Sequence, residues 1–115
     1  MTESSRALEA IDRILNRGGD ADDVLRAVVA ELVKEPGIEW ASISFLDHGN
    51  LVPGPHAGTA APDRRVNVPV TYRAAAVGEL TIDGEAERAL LERVALRISA
   101  HVLLGWDTGG ETWDA

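Results

Sequence analysis

Along residues 3–17 the apolar positions Leu8, Ile11 and Leu15 recur at three- and four-residue intervals, the period that places side chains on one helical stripe. Gly18-Gly19 closes that segment. Asp20 stands where an N-cap belongs, with Asp22 and Asp23 in the first turn of a second helix. There Val24, Leu25, Val28, Val29, Leu32 and Val33 cover half the circumference, wider than the ~100° stripe of a one-sided surface helix. "EPG" at 35–37 stops it, because proline disfavours helix in the residue before it.

The period then changes to two. "IEWASISFLD" alternates Ala41, Ile43 and Phe45 with Trp40, Ser42 and Ser44, as a half-buried strand does. "DHGN" (47–50) is a hairpin turn into "LVPGPHAG", whose two prolines suit an edge strand. "TAAPDRR" (59–65) reads as a loop. "VNVPVTY" follows, with Val66, Val68, Val70 and Tyr72 on one face and Asn67, Pro69 and Thr71 on the other. A turn over 73–76 leads to "VGELTID", where Leu80 and Ile82 alternate with Glu79 and Thr81. A last helix is expected from Glu85 to Leu104, striped by Leu90, Leu91, Val94, Ile98 and Val102 and capped by Gly105.

Helix, helix, four strands, helix is the order of an α+β domain: an antiparallel sheet with N- and C-terminal helices packed on one face. The chain divides into an N-terminal helix (1–19), a core (20–104) and a tryptophan-containing tail (105–115), all in one domain.

Charge and composition narrow the function. With 115 residues and 45 % hydrophobic content, the chain can build one core. Its net charge is -8 and Lys34 is the one lysine, so no cationic patch is expected to hold nucleic acid or an anionic membrane surface. No apolar run approaches the ~18–20 residues of a membrane span, and "MTESSRALEAIDRIL" has no signal-peptide core, which points to the cytoplasm. The absence of cysteine excludes disulfides, thiolate metal sites and thiol nucleophiles.

Three stretches, taken in order, resemble a GAF domain, the small-molecule sensor module of many bacterial signalling proteins. "DDVLRAVVAELVKEPGIEWASISFLDHGNLVP" is similar to its opening helix, first strand and turn. "VNVPVTYRAAAVGELTID" is similar to its closing hairpin, and "ERALLERVALRISAHVLL" to its C-terminal helix. The resemblance implies a sensory or regulatory role, pairing through terminal helices, and a ligand floor on the sheet face away from the helices. Two departures bear on it. The stretch between the second strand and the Val-Pro strand, long in the family, is reduced to "TAAPDRR", too short for lid helices, and the Asn-Lys-Phe-Asp-Glu motif of cyclic-nucleotide binders is missing. The family's methionine sulfoxide reductases work through cysteines, which this chain lacks.

The polar face carries the candidate ligand residues: Trp40 near one end, then Ser42, Ser44, Thr71 and Glu79, with Asn67 and Thr81 among them. Hydroxyls and an amide around a carboxylate suit a small polar or cationic ligand. A solvated antiparallel sheet shows the same alternation. Trp106 and Trp113 in the tail invite three readings: laid over the sheet near Trp40, docked into a partner, or packed on the chain's own helices. Leu96 and Leu103, seven apart and opposite the main stripe, are a candidate homodimer seam, or a face covered by the N-terminal helix.

Other chemistry is thin. His48, His56 and His101 are too dispersed to announce zinc, no nucleophile elbow is present, and the glycines lack phosphate-loop spacing. No metal or cofactor is expected. The favoured expectation is a non-catalytic, homodimeric binding domain. The alternatives are a small enzyme with Glu79 as general base and a purely structural interaction module.

Overall fold

The computed structural model describes the backbone of residues 3–106 and the side chains of residues 6–103. Helix α1 (Glu3–Arg17) is followed by α2 (Ala21–Leu32), strands β1 (Ile38–Asp47), β2 (Asn50–Gly58), β3 (Arg65–Tyr72) and β4 (Ala75–Gly84), and helix α3 (Arg88–Trp106). One turn of 3-10 helix, Pro62–Arg64, interrupts the β2–β3 connection, so the expected loop is partly ordered and Arg65 already belongs to β3. The four strands form one antiparallel sheet in the order β2-β1-β4-β3.

The face bearing Ala41, Ile43, Phe45, Val68, Val70, Leu80 and Ile82 is closed by α2 and α3. Their Leu25, Val28, Val29, Leu32, Leu91, Val94, Ile98 and Val102 complete the core. Burying each such side chain contributes about 1.5–3 kcal/mol, so this two-layer contact dominates stability. α1 packs outside both helices through Ala7, Leu8, Ala10, Ile11 and Ile14, with Leu15 only partly buried. An Arg97–Asp12 ion pair at 3.0 Å ties it to α3. α2 is therefore contacted by both sheet and helix, which is why its apolar arc is so broad.

Gly78 shows how tightly α3 lies on the sheet. A Cβ there would run into the Ser44 carbonyl and Val102, so the close approach of helix to strand needs glycine. The β1–β2 hairpin turns at His48 and Gly49, both at positive φ, the conformation a two-residue loop requires.

Three details depart from expectation. α3 begins at Arg88, three residues later than Glu85, and the Glu87 carbonyl before it accepts from the Leu90 and Leu91 amides. Gly105 lies within α3, which continues to Trp106, so it is no cap and the tail begins later than residue 105. Asp20 occupies the N-cap position of α2 with extended backbone, but its side chain makes no capping hydrogen bond. No helix among the described residues is long and apolar enough to cross a membrane.

Candidate functional site

The strand register assembles the polar face in rows. Trp40 on β1 stands opposite Asp83 on β4, which stands opposite Arg65 on β3. The next row runs His56, Ser42, Thr81, Asn67, and the third runs Pro53, Ser44, Glu79, Pro69. Four of the five predicted ligand residues, Trp40, Ser42, Ser44 and Glu79, share this surface. Thr71 does not join them. A register shift after Val70 pairs Thr71 with Ala76, and it lines a groove at the β3 edge with Val68, Pro69 and residues Arg88, Glu92, Ala95 and Leu96 of α3.

The first row is a clamp. Asp83 has no solvent exposure, and its Oδ1 and Oδ2 accept hydrogen bonds from Arg65 Nε (2.7 Å) and Nη2 (2.9 Å). Oδ2 also accepts from the Ala61 amide at 2.7 Å. The guanidinium lies over the Trp40 ring, 4.8 Å from its centroid, and His56 flanks the same ring at 6.0 Å. The hydrogen bonds from Arg65 hold the Asp83 carboxyl below the usual carboxylate range, against its burial and with help from the Ala61 amide. The same hydrogen bond raises Arg65 above its ordinary value.

Topology explains why a clamp is needed. β2 and β3 are opposite edges, so residues 59–64 must cross β1 and β4, a width of about 14 Å at the usual strand spacing. Six residues reach about 20 Å fully extended, leaving little slack for a lid. The crossing strap is pinned at three points. Thr59 N donates to the Glu39 carbonyl (2.8 Å), Ala61 N to Asp83, and Arg64 pairs with Glu39 at 2.9 Å. It covers the Trp40 end of the polar face and no more.

Beyond the strap the surface changes character. Thr81 Oγ1 donates to Asn67 Oδ1 at 2.9 Å, and the Asn67 amide nitrogen makes no hydrogen bond among the described residues. Ser42 and Thr81 are only 7 % exposed, screened by their longer neighbours. Glu79, partly buried opposite Ser44 and flanked by Pro69, has no ion pair or hydrogen bond among the described residues.

Arg65, Asp83 and the strap were missed by sequence reasoning because they sit at strand ends. The available signal was the alternation itself, which continues from Glu79 and Thr81 to Asp83 and from Asn67 back to Arg65. The histidines do not converge: His48 pairs with Asp47 at the hairpin turn (2.9 Å), His56 flanks Trp40, and His101 lies on α3. Among the described residues, the one grouping of metal-capable side chains is Asp20, Asp22 and Asp23 at the start of α2. Leu96 is 72 % exposed and Leu103 38 %, so α1 does not cover them. The Trp106 side chain and all of Trp113 lie outside the described residues.

No family model and no curated protein matches the sequence. Solved structures do match. The GAF domain of a Coxiella burnetii phosphoenolpyruvate-protein phosphotransferase aligns over 96 % of this chain and 100 % of its own, with a TM-score of 0.72 and 14 % identity. The corresponding Acinetobacter GAF domain aligns over 92 % and 98 %, with a TM-score of 0.69 and 16 % identity. The methionine sulfoxide reductase fRMsr of Staphylococcus aureus, solved with substrate, aligns over 89 % and 97 %, with a TM-score of 0.72 and 15 % identity. An antiparallel four-stranded sheet backed by helices, superposing on both kinds of neighbour over nearly the whole chain, is a GAF-like fold.

Proposed function

We propose that this domain is a cytoplasmic, non-catalytic regulatory module that binds a small cationic molecule on the open part of its polar sheet face. The observation that carries the reading is Glu79, a partly buried carboxylate left without a partner beside the Ser44 hydroxyl. Its near neighbour Asp83 is fully satisfied by comparison. An unpaired carboxylate in a partly dry setting gains most from a ligand that brings an ammonium group and donors for the remaining lone pairs. Ser42, Ser44 and the unpaired amide nitrogen of Asn67 supply the orienting hydrogen bonds, and Trp40 stands at the closed end.

Binding is favoured over catalysis on chemical grounds. The sulfoxide reduction of the cysteine-using family members has no thiol here. Glu79 makes no hydrogen bond to the Ser44 hydroxyl opposite it, and its strand neighbours supply no second acid, as general acid–base chemistry would need. The module is proposed to act as a homodimer in bacterial signalling, with exposed Leu96 and Leu103 at the contact.

Native mass spectrometry of protein purified from its source, followed by thermal-shift titration of the retained compound, tests both parts. The expected result is a dimer carrying a small adduct whose stabilising effect disappears in Glu79→Gln and Ser44→Val. An adduct whose effect survives both substitutions would refute the site. A dimer that persists in Leu96→Glu/Leu103→Glu would refute the seam.

A further inference from the structure

The helical side of the molecule, remote from the sheet face, holds a second feature. Two adjoining hollows between α1 and α2, of about 160 and 380 Å³, share Glu31 and Lys34 and together form one groove. Its floor is made of short side chains, Ala7, Ala10, Ala27 and Ala30, with Ile14. Its rim carries four cations, Arg6, Arg13, Arg17 and Lys34, against two carboxylates, Glu31 and Glu35. Along α1 the three arginines sit at i, i+7 and i+11, a span of about 16 Å.

These cations differ from four arginines elsewhere in the chain, while Arg73 and Arg93 likewise meet no carboxylate among the described residues. Arg64, Arg65, Arg88 and Arg97 each meet a carboxylate. Arg6, Arg13 and Arg17 meet none among the described residues, although acidic residues outnumber basic ones by 19 to 11. Lys34 makes a loose 3.4 Å contact with Glu31. Arg13 and Arg17, one helical turn apart, repel each other, which destabilises a helix unless an anion lies between them.

We propose that this groove is a binding site for a compact polyanion bearing phosphate or carboxylate groups. The guanidinium fork matches both groups, and the two forks of Arg13 and Arg17 with the Lys34 ammonium on the larger hollow select for multiple charge. The larger hollow has the volume of a small-ligand cleft and stands open to solvent on one side. A long polyanion is disfavoured, because the positive field extends only about a Debye length, roughly 8 Å, before the surrounding charge of a -8 protein repels it. The site stands on the other side of the sheet from Glu79 and is independent of the function proposed above.

The test is isothermal titration calorimetry of the full chain at low ionic strength with sodium tripolyphosphate and, separately, with citrate. Saturable one-to-one binding of either probe is expected, and the tighter of the two tells which chemistry the groove prefers. Arg13→Gln/Arg17→Gln should weaken it at least about tenfold, since two charge-assisted contacts are lost. Both side chains are exposed and unpaired, so the double variant keeps its fold, which circular dichroism verifies. Arg73→Gln/Arg88→Gln, an equal loss of charge elsewhere, should leave affinity within about twofold. Absence of saturable binding, or equal weakening by the two double variants, would overturn the assignment.

Discussion

Asp83 and Glu79 lie on either side of Thr81 on one strand and face the same side of the sheet, yet they occupy opposite chemical situations. Asp83 has lost all exposure and accepts three hydrogen bonds, two of them from a guanidinium that also stacks on Trp40. Glu79 is partly exposed and accepts none among the described residues. The difference comes from topology. The connection between edge strands must cross somewhere, it crosses over Asp83, and six residues cannot also reach the row of Ser44 and Glu79. One end of the face is thus committed to holding the fold, and the other is left uncovered by the strap.

Substitutions at the two ends should separate those roles. Asp83→Asn is expected to have the largest effect, about 2–4 kcal/mol of stability, because it leaves Arg65 uncompensated and strands buried donors. Denaturant unfolding measures it, and a loss below 1 kcal/mol would break the contrast. Acid acts on the same group. Its folded pKa is depressed, so the clamp contributes fully above the unfolded carboxylate value, about pH 4, and that contribution is lost as pH falls through the lower folded value. Melting curves between about pH 5 and pH 2.5 should therefore fall more steeply for the native chain than for Asp83→Asn. Arg65→Lys keeps the charge but loses the fork and the stack, and should cost roughly half as much as Asp83→Asn. Thr81→Val should cost about 0.5–1 kcal/mol, since the Asn67 amide it releases is exposed and can turn to water. Glu79→Gln should change stability by less than about 0.5 kcal/mol while removing the ligand response.

Much of this was legible in the sequence. Alternation over 40–45 and 66–70 specified which side chains enter the core, and the broad apolar arc of α2 reflects its position between sheet and α1. What escaped was pairwise. Arg65 and Asp83 are 18 residues apart, and their meeting depends on β3–β4 register and on β3 starting one residue inside a stretch that looks like loop. Thr71 left the site through a bulge, a backbone event that no side-chain pattern marks. Gly105 resembles a cap, yet a glycine inside a helix costs only about 1 kcal/mol, and α3 carries on past it. The α1–α2 groove was hidden for a similar reason, because Arg13, Arg17 and Lys34 become neighbours only when the two helices pack.

The most direct test of the division between the two ends is an NMR titration of isotopically labelled protein with small ammonium compounds such as ethanolamine, choline and putrescine. The account predicts that one of them shifts the amides of residues 42–46 and 78–81, leaves the clamped Ala61 amide unmoved, and has no effect on Glu79→Gln. Shifts concentrated around Ala61 and Asp83, or shifts at 42–46 and 78–81 that persist in Glu79→Gln, would contradict it.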